Sequence, residues 1–158
     1  VLPAVLVSMA FFTEFERIRE FIRGPYIMPG YMYANQILLK EEPFFHEQGL
    51  LENSYWFNAA DQQGELDQGL YLFGQNCSVC HTINGINGIQ GRVQERSLDG
   101  LRVIIAHTHD MLPFMTPFAG TVEEEHILAG FLYQLGQGRI EITHTGRFVN
   151  VHMEEVNP

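Results

Sequence analysis

Cys77, Cys80 and His81 stand in the run Cys-Ser-Val-Cys-His, and those two cysteines are the only ones in the chain. Two thiols at this spacing lie one helical turn apart and face the same way. A CxxC pair alone reads as a redox dithiol or as half of a zinc site. Zinc would need more Cys or His at ligand spacing, and no second CxxC occurs. The histidine placed directly after the second cysteine changes the reading. The two thiols can add to the vinyl groups at one edge of a porphyrin, and the adjoining imidazole can then reach the iron through Nε2. The sequence therefore predicts one covalently attached haem, held by Cys77 and Cys80 and ligated by His81. Such a chain has to fold around a large, flat, apolar group, and it keeps no thiol for a disulfide.

Iron bound by one imidazole calls for a second axial partner. Met111 and Met115 both lie downstream, in Asp-Met-Leu-Pro-Phe-Met-Thr-Pro-Phe-Ala-Gly-Thr. Pro113 and Pro117 favour an extended loop that could present a thioether to the distal face. A thioether is neutral and soft, so it stabilises ferrous iron and raises the potential. Met115, immediately before Thr-Pro-Phe, is the preferred sixth ligand. Met111, His107, His109 or an open position are the alternatives, and a lone Met can also simply fill a core. Arg92, Arg96 and Arg102 are the nearest cations for the haem propionates, although each could equally be a surface arginine. Tyr71, Phe73 and Phe118 are expected to pack near the ring. His81 also needs an acceptor on its other ring nitrogen, expected from a backbone carbonyl within Ile89–Val93.

Composition fits a chain wrapped around a large apolar cofactor, and an ordinary core would use the same residues. The 158 residues include twelve Phe, six Tyr and six Met, and 46% are hydrophobic. That length suits one packed domain with extensions. The formal net charge of −10 argues against nucleic acid as a partner. It also argues against charge-driven attraction to anionic lipid, while favouring a partner with a basic docking surface.

Four stretches follow one another. Residues 1–23 begin with an uncharged apolar run to Phe12, too short to span a bilayer, which takes about 20 residues. It reads as the exit end of a transmembrane helix or as a buried core helix. Thr13 and Glu16 have the spacing of a capping pair, and charges then alternate with Phe15, Ile18 and Ile22. Residues 24–63 form a connecting segment in which Gly24-Pro25, Pro29-Gly30 and Pro43 are interleaved with aromatics, Tyr26 and Trp56 among them. Residues 64–138 read as the haem domain, with helices over Leu66–Gln75, Leu98–His107 and Val122–Leu135. Glu123, Glu124 and Glu125 in the first turn of the last helix complement its dipole. Residues 139–158 alternate in polarity and predict a short hairpin around Gly146.

Two resemblances sharpen this reading. Gly64–Leu135 resembles a class I cytochrome c domain: Gly-Leu-Tyr-Leu-Phe-Gly-Gln-Asn-Cys-Ser-Val-Cys-His matches that family's glycine and aromatic ahead of CxxCH. Met115-Thr-Pro-Phe and the helix after it resemble its ligand loop and final helix. The resemblance implies a mostly α fold, with three or more helices around one haem and the first and last helices crossing where Gly69 or Phe73 meets Phe131. That family usually has a proline about ten residues after the haem histidine, whose carbonyl holds the imidazole; Gly91-Arg92-Val93 stands there instead. The longer span from Glu14 to Leu135 resembles the C-terminal region of cytochrome bd-like oxidase subunit I proteins with a fused c-type haem domain. This implies single-electron transfer on the periplasmic face of the inner membrane. The partners implied are a membrane-embedded b-type haem or quinol-oxidising subunit and a periplasmic redox carrier. A soluble or extracellular monohaem carrier is the alternative, and an open-site haem sensor or enzyme a further one.

Overall fold

The computed structural model describes residues 2–22, 30–34, 37–53, 64–145 and 148–153, with backbone alone for 19–22, 141, 143–145 and 148–153. Tyr26, Trp56 and Gly146 lie outside the described residues. The described chain is mostly helical, with seven helices and two short antiparallel hairpins.

Helix α1 (Leu2–Ile22) runs unbroken through Thr13. The hydroxyl of Thr13 donates back to the Met9 carbonyl at 2.9 Å, so Thr13 and Glu16 do not start a helix as their spacing predicts. No breaker follows Pro3, and the helix simply continues. Every described side chain from Leu2 to Ile18 is exposed, including Leu2, Val7, Phe11, Phe12 and Phe15. No helix among the described residues is long and apolar enough to cross a membrane.

Strands β1 (Met32–Ala34) and β2 (Ile37–Leu38) pair antiparallel, and α2 (Glu42–Gln48) follows with Pro43 in its first turn. Gly49 ends α2 at φ 82°. A side chain there would be strained by the backbone and would also meet the Glu124 carboxylate at 2.8 Å.

The centre of the fold is α7 (Val122–Gly136). It packs against α3 (Glu65–Asn76), α5 (Leu98–Ala106), the short α4 (Gln90–Val93) and strand β3 (Ile140–Thr145). The apolar positions of α7 recur at helical spacing, and Leu128, Phe131, Leu132 and Leu135 are all buried. They meet Leu72 and Phe73 of α3 and Leu101 and Ile105 of α5 in one core. Each such side chain contributes roughly 1.5–3 kcal/mol relative to exposure. Ser97 caps α5 by accepting from the Gly100 amide at 3.1 Å.

The expected crossing of α3 and α7 is present. A Cβ on Gly69 would fall 2.4 Å from Phe131 Cβ, and the Phe73 and Phe131 rings lie 6.2 Å apart. Strand β3 pairs with β4 (Phe148–Met153) in the antiparallel register Ile140↔Met153 to Thr145↔Phe148, as the alternating pattern predicts. The stretches flanking residues 64–138 also reach the core: Ala34, Ile37, Leu50 and Leu51 from one side, Ile140 and Ile142 from the other.

Candidate functional site

Helix α3 delivers the Cys-Ser-Val-Cys-His segment as its own continuation. The Cys77 and Ser78 amides donate to the Phe73 carbonyl, and the Cys80 and His81 amides donate to the Cys77 carbonyl, the last at 2.8 Å. One further turn therefore sets both thiols and the imidazole on a single backbone unit. Neither cysteine is in a disulfide. Cys80 is exposed, whereas burial around the Cys77 thiol, helped by the neighbouring Cys80, pushes its pKa up to about 12.

His81 is held by Asn87. Its Nδ1 lies 3.1 Å from the Asn87 carbonyl oxygen. A carbonyl can only accept, so Nδ1 carries the proton in this bond, and the lone pair of the uncharged form is the one on Nε2. Nε2 has no hydrogen-bond partner among the described residues. The acceptor precedes the expected stretch Ile89–Val93, and the reason is local. The Ile89 carbonyl accepts from the Arg92 and Val93 amides as α4 begins, and the Val93 carbonyl accepts from the Arg96 amide. Asn87 sits at φ 57°, a left-handed conformation that Asn tolerates better than most residues. The loop around it is closed by Thr82, whose Oγ1 accepts from the Gly85 amide and donates to the Ile86 carbonyl.

The Asn87 side chain ties the same unit from the other side. Its Nδ2 donates to the Cys80 carbonyl at 2.6 Å, and its Oδ1 accepts from Arg92 at 2.8 Å. The structure thus brings Cys80, His81 and Arg92 together around Asn87. Arg96 is exposed. Arg102 pairs with Asp99 at 3.2 Å through one terminal nitrogen, while its buried Nε has no partner among the described residues.

Met115 and Phe118 belong to a second cluster, in the loop after α6 (Thr108–Met111). The Thr108 hydroxyl donates to the Thr116 carbonyl at 2.8 Å, and His109 Nδ1 donates to the Met115 carbonyl at 2.9 Å. Met115 is half-buried there, whereas Met111 at the end of α6 is 55% exposed. His107 faces Asp110 at 3.3 Å. Phe118 packs against the core, and its carbonyl lies 3.5 Å from the Tyr33 hydroxyl. His46 Nδ1 donates to the Gly120 carbonyl at 3.0 Å, and the Tyr33 hydroxyl lies 3.3 Å from His46 Nε2. Burial is the main cause of the raised pKa of Tyr33, followed by the charges of Glu42 and Asp110.

Glu124 completes this second cluster. It is buried at 5% exposure, and its two oxygens accept from the amides of Leu50, Leu51 and Thr121 at 2.7 to 3.0 Å. Thr121 in turn accepts from the Glu124 amide, which makes a capping box. Glu124 therefore differs from Glu123 and Glu125, with which it shares the first turn.

The donor types present are those a covalent haem uses, with Met115 in a separate cluster from the Cys77–His81 turn. Two thiols share one turn, an imidazole has its Nδ1 proton fixed and Nε2 open, and a thioether lies on a pinned loop. The buried, orphaned Nε of Arg102 is a donor suited to an acidic group such as a propionate. Asn87, Glu124 and the Tyr33–His46 pair escape a reading for cofactor ligands. Asn87-Gly88 does carry a turn signal, and Thr121-x-x-Glu124 has capping-box spacing. No protein-family model, curated protein or solved structure matches this chain.

Proposed function

We propose that the chain is a one-electron carrier built on a single c-type haem, attached through Cys77 and Cys80 and ligated by His81 and Met115. The observation that carries this reading is His81. Its Nδ1–H is bound to the Asn87 carbonyl, its Nε2 is open, and both thiols share its turn. The close approach of Gly69 to Phe131 supports a class I cytochrome c arrangement of the first and last helices. The pinned, half-buried position of Met115 favours it over the exposed Met111 as sixth ligand.

When bound, haem supplies an iron that cycles between ferric and ferrous. The chain's own residues fix the geometry around it. His81 is oriented before the metal arrives, which limits reorganisation between the two oxidation states. The Met115 thioether favours the reduced state. Arg102 offers its unpartnered Nε, and Arg92 the rest of its guanidinium, toward propionate charge. Phe118 borders the Met115 loop. No substrate bond is made or broken.

The setting proposed is the periplasmic face of the inner membrane, within a respiratory complex. A membrane-embedded b-type haem or quinol-oxidising subunit stands on one side and a basic periplasmic carrier on the other. The exposed apolar side chains of α1 support an association with lipid or a membrane subunit, and the net charge of −10 supports a basic carrier.

The test is expression in a periplasm equipped for haem attachment. One haem per chain should survive acidified-solvent extraction, and Cys77→Ala/Cys80→Ala should retain none. Met115→Ala should abolish the weak near-infrared iron–sulfur charge-transfer band and lower the potential, while Met111→Ala keeps both. A wild-type chain that takes up no covalent haem sinks the reading. A wild type that is high-spin and binds CO readily replaces it with the open-site one.

A further inference from the structure

Asn87 bonds to the Cys80–His81 unit at two points, and this double hold goes beyond the turn that the loop requires. Its backbone carbonyl accepts from His81 Nδ1 at 3.1 Å, and its side-chain Nδ2 donates to the Cys80 carbonyl at 2.6 Å. The second bond grips the peptide that joins the attachment cysteine to the histidine. The amide cannot rotate away, because Arg92 donates to Oδ1 at 2.8 Å. That bond also fixes which end of the amide is oxygen: the guanidinium has only donors, so it must face Oδ1, and Nδ2 is left for the Cys80 carbonyl.

We infer that Asn87, locked by Arg92, is the positioning residue that fixes the ring orientation and the proton location of His81. The inference rests on the haem reading above and says what controls the metal ligand. A carbonyl held on Nδ1–H draws the proton toward itself and makes Nε2 a stronger donor to the metal. In this chain Asn87 and Arg92 do the orienting, in a stretch with no proline between His81 and Pro113. Arg92 acts here through Asn87, because one of its terminal nitrogens is already committed to Oδ1.

The experiment uses Asn87→Gly, which keeps the φ of 57° accessible and deletes only the side-chain clamp. In the haem-loaded chain, a Met115→Ala background leaves ferrous iron five-coordinate, so resonance Raman reads the iron–histidine stretch directly. Asn87→Gly is expected to shift that band to lower frequency, and in the Met115 chain to raise the reduction potential. Arg92→Gln is expected to shift the band the same way by a smaller amount. In the haem-free chain, nitrogen-15 NMR of His81 should show the Nδ1–H tautomer, with a mixture of tautomers in Asn87→Gly.

If Asn87 only supplies a turn, Asn87→Gly leaves the band, the potential and the tautomer unchanged, and the inference is overturned. Should Asn87→Gly fail to fold, Arg92→Gln decides, since Arg92 is exposed: an unmoved band overturns the inference. A wild type without haem defeats the functional reading instead, and the haem-free tautomer measurement still reports whether Asn87 holds His81.

Discussion

Cys77 closes α3 with its amide on the Phe73 carbonyl, and burial lifts its thiol from the ordinary 9.0 to about 12. The folded chain therefore keeps this proton over a range where the unfolded chain releases it. Stability tied to Cys77 is fully present below pH 9.0 and is lost as pH rises toward about 12. One proton limits the slope to about 1.4 kcal/mol per pH unit. Urea midpoints of the haem-free protein should fall through this window, and Cys77→Ala should fall less steeply. Equal slopes for the two would contradict the buried thiol. In the proposed haem-bound form Cys77 is a thioether without that proton, so its share of the alkaline loss should be absent. At this scale the sequence points to candidate ligands by residue type and says little about what holds them. Cys77, Cys80 and His81 are legible as a candidate set because two thiols and an imidazole stand within five residues. Asn87 and Glu124 are ordinary polar residues, and they matter only through partners seven and more than seventy positions away.

Among the elements, α3, α5 and α7 lie within one residue of the ranges the apolar periodicity predicts, because each has two or more turns with a buried stripe. Helices α4 and α6 are four residues each, and β2 is two, too short for any period to show. Val93 of α4 and Ile37 of β2 are buried in the core, whereas α6 buries no residue. Two predictions belong to α7. Gly69→Ala would drive a methyl to 2.4 Å from Phe131 Cβ, an atom fixed to the helix backbone, so α3 must move. The expected cost is about 2–3 kcal/mol, read from denaturant unfolding. A neutral result would mean that the two helices do not cross at this point. Glu124→Gln retains the shape but replaces one acceptor oxygen with a donor, which then faces a backbone amide. Loss of a charge-assisted bond plus one unsatisfied amide should cost about 2–3 kcal/mol. Hydrogen exchange locates the damage: the amides of Leu50 and Leu51 should lose protection while those of α5 keep theirs. Uniform loss over both regions would show that Glu124 supports the whole fold and not the docking of residues 37–53.

Across the whole molecule, composition changes along the chain do not coincide with the limits of the core. Ala34, Ile37, Leu50 and Leu51 lie before residues 64–138, and Ile140 and Ile142 lie after them, yet all six are buried with Leu72, Leu101 and Leu128. Glycines, prolines and aromatics in residues 24–63 signal irregular backbone, but they carry no information about which distant residue a loop will cover. Helix α1 is the opposite case. None of its described side chains is buried, so it contributes almost nothing to the stability of the rest. Removing residues 2–22 should change the melting temperature by no more than about 2 °C, the equivalent of roughly 0.5 kcal/mol for a chain of this size. The same removal should abolish association with lipid. Leu2, Val7, Phe11, Phe12 and Phe15 offer apolar surface that water disfavours, and a bilayer interface can cover it. Charge opposes that association, because a chain of net −10 is repelled by anionic headgroups. Flotation with neutral phosphatidylcholine vesicles should therefore recover the intact chain and not the truncated one, and adding anionic lipid should weaken recovery, most at low salt. If the truncated chain floats equally well, the membrane contact lies elsewhere on the molecule. If anionic lipid strengthens binding, local cationic groups outweigh the net charge, and apolar burial by α1 is not the force that holds the chain to the surface.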